Sequence, residues 1–122
     1  MQLFFQSSEE SKINGLGWIN GKIKKFNFRN KDKLYRVPHM GWNSIQTTNY
    51  CPLINNIDKD AKFYFAHSYY LLSKDKLDVV ATTSYEIKFT SIINKKNIFG
   101  TQFHPEKSHK SGLTLLSNFN QI

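Results

Sequence analysis

One segment near the end of the chain, residues 97–108, constrains the fold more than any other part of the sequence. Its first half is apolar and favours a strand, and its second half carries His104 and Glu106 two positions apart. In an extended segment, residues i and i+2 point to the same side and lie roughly 6–7 Å apart along the chain. Pro105 fixes its own φ and disfavours helix at the preceding residue. The sequence therefore predicts an extended segment in which Glu106 reaches the His104 imidazole.

A histidine beside a carboxylate is typical of acid–base catalysis, because the carboxylate orients the ring and leaves one nitrogen free to exchange a proton. Such a pair requires a nucleophile. Cys51 is the only thiol in the chain, but Pro52 follows it and no glycine-flanked turn surrounds it, so we interpret it as structural. Ser108 lacks a Gly-x-Ser-x-Gly elbow and is interpreted as a helix N-cap. The sequence predicts a base and its orienting carboxylate, without an identifiable nucleophile.

Metal and cofactor chemistry have no support in the sequence. The four histidines, His39, His67, His104 and His109, lack the ligand spacing of zinc sites, so we predict no metal and no cofactor. His67 lies within an aromatic run and is interpreted as a hydrogen-bonded packing residue. A single cysteine excludes an intrachain disulfide and fits a reducing, cytoplasmic location.

The net charge of +8 raises the question of a nucleic-acid partner. Only two of the 17 basic residues are arginine, and the lysines fall mostly at turn-like or strand-edge positions. Such charges are typical of solvated surface, so we predict neither a nucleic-acid nor a membrane partner, and a basic nucleic-acid-binding β domain is the alternative. No apolar stretch is long enough for a membrane span, and the first residues do not resemble a signal peptide. A length of 122 residues fits one domain over residues 1–122.

Hydrophobic patterning predicts a chain dominated by strands. Asn20-Gly21 is a hairpin signal followed by a strand over residues 22–28, and residues 62–72 form the strongest strand, with aromatic side chains on both faces. Further strands are predicted over residues 78–85 and 87–93, with a turn at residues 94–97. Residues 109–120 predict a closing amphipathic helix that packs through Leu113, Leu116 and Phe119.

Two other segments are irregular in the sequence. Residues 49–61 predict a short helix or loop. Residues 33–44 contain Pro38 and Gly41, which exclude a central strand and predict a loop that exposes His39, Met40 and Trp42. These side chains form either a partner surface or a cap over the domain's own core.

Several motifs together resemble a known family. Residues 100–106, Gly-Thr-Gln-Phe-His-Pro-Glu, resemble the His and Glu motif of the class I, triad-type glutamine amidotransferases. Residues 38–43, 63–69 and 106–108, with the opening residues 1–3, 7–10 and 15–17, are similar to the glutaminase subunits of imidazole glycerol phosphate synthase in histidine biosynthesis. The resemblance implies an α/β fold, a mixed β-sheet flanked by helices. It implies that the chain is the C-terminal part of the domain, with the N-terminal strands and the elbow of the nucleophilic cysteine lying before Met1.

The same resemblance implies roles for particular residues. Glutamine would contact Gln2, Ser68 and Tyr69, while His104 and Glu106 would complete the triad. The face that meets a (β/α)8-barrel cyclase subunit in a heterodimer would contain His39, Met40, Trp42, Tyr64 and Lys107. Because the thiol would lie elsewhere, we expect this chain to be inactive and aggregation-prone by itself. Alternatives are a noncatalytic docking protein and a related amidotransferase that supplies ammonia to a sugar-modifying synthetase.

Overall fold

A computed structural model describes residues 1–10, 13–28 and 35–122. Within these residues the chain forms nine strands and one α-helix. The strands are β1 (Phe5–Ser8), β2 (Ile19–Lys25), β3 (His39–Ser44), β4 (Gln46–Thr47), β5 (Lys62–His67), β6 (Tyr69–Ser73), β7 (Val79–Tyr85), β8 (Ile87–Lys95) and β9 (Ile98–Thr101). The helix α1 spans His109–Phe119, and short 3₁₀ helices span Gln2–Phe4, Pro52–Ile54 and Pro105–Lys107.

The strands form a large mixed sheet and a separate strand pair. The large sheet has the order β1-β2-β6-β8-β7-β4, and β9 also pairs with β8. Strands β1 and β2 are parallel, whereas the other neighbours in this sheet are antiparallel. Strands β3 and β5 form an antiparallel pair of their own. This mixed sheet followed by a helix confirms the predicted α/β class.

Strand β8 connects the two groups of buried apolar side chains. Phe89 and Ile92 belong to the group that also contains side chains of β5, β7 and α1. Ile93 belongs to the second group, with side chains of β1, β2 and β6. Both faces of β8 are buried from Phe89 to Ile93, because one apolar group packs against Phe89 and Ile92 and the other against Ile93.

The hairpin predicted at Asn20-Gly21 is wrong, because both residues lie inside β2. A Cβ atom on Gly21 would lie 2.8 Å from the carbonyl oxygen of Leu72 and 3.0 Å from the Phe5 ring. Glycine is required there because β6 and the Phe5 side chain approach the backbone closely, and not because the chain turns.

The single strand predicted over residues 62–72 is two strands in two different sheets. Strand β5 ends at His67 and pairs with β3, while β6 begins at Tyr69 and pairs with β2 and β8. Ser68 lies at the change of sheet, and its carbonyl accepts a hydrogen bond from the Phe26 amide at 3.0 Å. Aromatic residues that favour strands lie on both sides of the break, at Phe65 and at Tyr69, so the pattern did not reveal it.

The loop predicted over residues 33–44 is wrong for its second half, which forms β3; residues 33 and 34 lie outside the described part of the chain. Gly41 is tolerated because β3 has β5 as its single strand partner in this pair. Met40 and Trp42 are exposed as predicted, at 62% and 45%. The predicted exposure of His39 is wrong, because alternation along β3 turns this side chain inward and leaves it 3% exposed.

The closing helix forms where it was predicted, but it packs through a different face. Leu113, Leu116 and Phe119 are exposed, whereas Gly112 and Leu115 are buried. A Cβ atom on Gly112 would lie 1.9 Å from the carbonyl oxygen of Pro105. The close backbone contact at Gly112 therefore decides which face of α1 is turned toward the rest of the domain.

Candidate active site

His104 is delivered to the surface by β9 and by the residues that follow it. The Gln102 amide continues the β8–β9 pairing with a hydrogen bond of 2.9 Å to the carbonyl of Ser91. The buried Phe103 ring stacks on Phe63, with 4.1 Å between the ring centroids. The His104 amide then donates a hydrogen bond of 2.9 Å to the carbonyl of Tyr64. Because the phenylalanine points inward, the neighbouring histidine points out.

His104 and Glu106 form the predicted pair, with 2.9 Å between Nδ1 and Oε1. The backbone geometry differs from the prediction, since Glu106 lies in the 3₁₀ turn Pro105–Lys107 and not in an extended segment. A carboxylate can only accept, so Nδ1 of His104 carries the hydrogen and Nε2 remains available for proton exchange. Hydrogen bonding by its own amide lowers the pKa of the Glu106 carboxyl, and the His104 ring lowers it further against partial desolvation.

Ser108 fixes the turn that carries this pair. Its hydroxyl donates a 2.6 Å hydrogen bond to the carbonyl of His104 and accepts a 3.0 Å hydrogen bond from the Tyr64 amide. Ser108 occupies the N-cap position of α1, but its side chain caps no amide of the helix. The interpretation as an N-cap is correct for its position and wrong for its hydrogen bonding.

A cleft of about 690 Å³ opens beside His104. Gln2, Ser68 and Tyr69, which are distant from His104 in the sequence, line it together with that histidine. The Gln2 side-chain amide lies 3.4 Å from the carbonyl of Tyr69 and donates to it. The fold thus brings the predicted substrate residues and the predicted base to one cleft.

Other cleft residues were missed by sequence reasoning. Thr101, Gln102 and Phe103 precede His104 directly, and that proximity was the available signal. The Gln102 Oε1 atom is buried and has no hydrogen-bond partner among the described residues. The remaining lining residues lie within the motifs that carry the family resemblance, although none of them was predicted to contact the substrate; they are Met1, Leu3, Glu10, Pro38, Met40, Ala66 and His67.

The residues predicted to meet a partner divide between the surface and the interior. Trp42 faces Tyr64 across the β3–β5 pair, with 5.9 Å between ring centroids. The His109 ring stacks on Trp42, with 4.9 Å between ring centroids. Met40 and Lys107 are exposed, whereas His39 is buried beneath the strand. We call the exposed residues Met40, Trp42 and Lys107, together with the half-buried Tyr64, the β3 face.

Cys51 is buried and is not among the described residues that line the cleft. Desolvation raises the pKa of its thiol, which disfavours the reactive thiolate. Both observations support its structural interpretation. In the described part of the chain, no group of three His, Cys, Asp or Glu side chains could hold a metal ion. No described helix is long and apolar enough to cross a bilayer.

The α/β fold presents a histidine and a glutamate beside a cleft, which is the arrangement of a catalytic base and its orienting carboxylate. The glutamine amidotransferase class-I family matches residues 1–121, and the chain belongs to this family.

Within this family, the chain is similar to subunits of one particular synthase. The chain is 49% identical over 119 residues to imidazole glycerol phosphate synthase subunit HisH of Leptospira borgpetersenii, covering 98% of this chain and 58% of the relative. It is 44% identical over 121 residues to the HisH subunit of Neisseria meningitidis serogroup B, covering 97% and 57%. Against the HisH subunit of Methanocaldococcus jannaschii the identity is 46% over 123 residues, covering 100% and 60%. The chain therefore spans a little more than half the length of the curated relatives that it matches.

Proposed function

We propose that this chain is the His- and Glu-bearing part of a glutaminase subunit of imidazole glycerol phosphate synthase. The observation that carries the proposal is the contact of 2.9 Å between His104 and Glu106 beside a cleft that also contains Gln2, Ser68 and Tyr69. The similarity to HisH subunits supports the particular synthase. The residues 1–122 would form part of one amidotransferase domain.

The reaction is hydrolysis of the glutamine side-chain amide. Nε2 of His104 takes the proton of a cysteine thiol as the sulfur attacks the amide carbon, and His104 then gives that proton to the departing nitrogen so that ammonia leaves and a thioester remains. Water then attacks the thioester while His104 accepts its proton, which releases glutamate and restores the thiol. Glu106 keeps Nε2 of His104 directed at the reacting groups. Cys51 is buried in the core, so the thiol would come from outside these 122 residues.

Glutamine would bind through Gln2, Ser68 and Tyr69. The Gln2 side chain and the backbone around Ser68 provide donors and acceptors of the kind that an amino acid substrate requires. Their positions on the cleft wall beside His104 allow one bound glutamine to contact all of them.

The ammonia would pass to a (β/α)8-barrel cyclase subunit in a cytoplasmic heterodimer of histidine biosynthesis. The β3 face supports docking because Met40 and Trp42 are large exposed side chains of the type enriched in interface cores. Met40 also lines the cleft, so the docking surface and the substrate site adjoin.

The proposal is tested with a fused glutaminase, defined as this chain joined to the part of the Leptospira borgpetersenii relative that lies outside the matched region. We expect the fused protein, assembled with the cyclase subunit, to release glutamate from glutamine. The His104→Gln variant should lose at least about 10²-fold in kcat. Equal turnover in the variant, or none in the parent assembly, would overturn the proposed function. Turnover by the 122-residue chain alone would contradict an external thiol.

A noncatalytic docking protein is the second candidate. This chain contains the β3 face, whereas its cysteine is buried and does not lie at the cleft. Stable binding to the cyclase subunit, together with no glutamate release by the fused glutaminase, would favour it.

A further inference from the structure

Two buried histidines face each other across the β3–β5 pair. His39 is the first residue of β3 and His67 the last of β5, and the two are direct partners in the strand register. Nδ1 of His39 lies 3.0 Å from Nε2 of His67. The side chains are almost inaccessible, with 3% and 7% of each residue exposed. The proposed hydrolysis uses neither ring.

The hydrogen bonds of this pair have a defined direction. Nδ1 of His67 lies 2.7 Å from the carbonyl oxygen of Tyr69, which can only accept, so Nδ1 carries the hydrogen. In a neutral ring Nε2 of His67 is then the acceptor, and Nδ1 of His39 must donate to it. The result is a directed relay from His39 through His67 to the Tyr69 carbonyl.

The surroundings keep both rings neutral and in place. Burial lowers the pKa of His39 to about 4, and the charge of His67 adds to this effect. Burial also lowers the pKa of His67 to about 4, against the hydrogen bond to the Tyr69 carbonyl, which raises it, and with a further lowering by the charge of His104. The His39 ring stacks between Phe65 and Tyr85, at 4.9 and 3.8 Å between ring centroids. The His67 ring packs on Phe26 and Phe89. Among the described titratable groups on neighbouring elements, Tyr85 contacts the pair by stacking on the His39 ring, and the charge of His104 acts on His67.

The relay ends on the backbone that lines the cleft. The Tyr69 carbonyl receives the His67 hydrogen bond and the side-chain amide of Gln2. Ser68, at the change of sheet, is held on its other side by the Phe26 amide. The relay begins beside Met40, which belongs both to the cleft wall and to the β3 face. Displacement of either histidine would therefore move the Ser68–Tyr69 backbone relative to His104.

We propose that His39 and His67 are positioning residues, which hold the Ser68–Tyr69 backbone in the geometry that binds glutamine and connect it mechanically to the β3 face. The substrate in this statement rests on the proposed function. The relay itself rests on the strand register, on the buried His39–His67 hydrogen bond and on the partly buried hydrogen bond from His67 to Tyr69.

The kinetic test compares His39→Leu with His39→Asn in the fused glutaminase assembled with the cyclase subunit. Asparagine can place its amide nitrogen near the position of Nδ1, whereas leucine offers no donor. We expect His39→Leu to raise KM for glutamine about tenfold, the effect of one lost hydrogen bond, while kcat changes less. His39→Asn should restore most of the loss. An unchanged KM in His39→Leu, or equal defects in both variants despite folding, would overturn the proposal.

A spectroscopic test needs no turnover. Nitrogen NMR of the fused glutaminase with labelled histidines should show His39 and His67 as neutral rings protonated at Nδ1, from neutral pH down to about pH 5. Either ring protonated at Nε2, or titrating near pH 6.5, would overturn the relay even if the leucine variant fails to fold. Failure of the parent protein to hydrolyse glutamine, with this NMR pattern present, would overturn the proposed function and leave the relay standing.

Discussion

At the scale of single residues, the chemistry depends on how Glu106 holds His104. The Glu106→Gln substitution keeps the shape of the side chain but allows its amide nitrogen to face Nδ1, which favours the wrong tautomer of the histidine. We expect kcat for glutamate release by the fused glutaminase to fall about 10²-fold with little change in KM. The exposed Asp60→Asn, which removes the same charge outside the cleft, should leave both constants unchanged. Equal kcat in Glu106→Gln and the parent would contradict the role of the carboxylate.

The buried histidines predict how stability depends on pH. Their folded pKa values of about 4 lie below the usual histidine value of 6.5. Between pH 6.5 and pH 4 the unfolded chain therefore binds more protons, so the free energy of unfolding falls as pH falls through this window. The loss is up to about 3 kcal/mol for each histidine.

Urea unfolding of the fused glutaminase across this pH range measures the effect. In the His39→Leu variant the free energy of unfolding should depend less steeply on pH, because unfolding takes up close to one proton fewer. Identical pH dependences in the variant and the parent would show that His39 is not held neutral by the fold.

At the scale of elements, α1 and the turn before it are coupled through Gly112. A methyl group there would collide with the Pro105 carbonyl, and that turn carries Glu106. We expect Gly112→Ala to lower the free energy of unfolding by about 1–3 kcal/mol through overpacking, and to lower kcat as well. Ser117→Ala, on the exposed side of α1, is the matched control. Urea unfolding and glutamate release measure the two effects, and a fully stable Gly112→Ala would refute the close contact.

Strand β3 predicts a docking surface. Trp42 is held between Tyr64 and His109, so little side-chain entropy remains to be lost on binding. We expect Trp42→Ala to weaken binding of the fused glutaminase to the cyclase subunit about 30-fold, as for a hot-spot aromatic residue. Trp18→Ala removes an exposed tryptophan outside the β3 face and should bind normally. Calorimetric titration distinguishes these results, and equal affinity of both variants would argue against docking through β3.

At the scale of the whole molecule, the helix α1 presents exposed apolar side chains. Leu113, Leu116 and Phe119 on α1 are exposed together, and Leu113 is 68% exposed. Exposed apolar surface of this kind promotes association. We expect the 122-residue chain to self-associate, and Leu113→Glu to reduce its apparent mass in light scattering more than Leu77→Glu, which alters an exposed leucine outside α1. Equal masses would show that α1 does not drive association.

Local signals in the sequence determined the catalytic pair, several secondary-structure elements and the family of this protein. The His104–Glu106 pair was predictable because the two residues are neighbours and Pro105 limits the backbone between them. Strands β7 and β8 and the helix α1 follow from periodicity, and the inert Cys51 follows from the residues beside it. The family also follows from motifs that can be read directly.

Contacts between residues distant in the sequence decided the other features of the fold and the assembly of the cleft. The inward orientation of the His39 side chain depends on the pairing of β3 with β5. The break at Ser68 arises because the aromatic run before it pairs with β3 and the run after it pairs with β2. The packing face of α1 depends on one close approach, at Gly112. The cleft joins residues that are far apart in the chain, so neither its wall nor the His39–His67 relay exists before the sheets assemble. Propensity and periodicity describe only a residue's neighbours, and tertiary packing alone brought His104, Gln2 and Ser68 to one site.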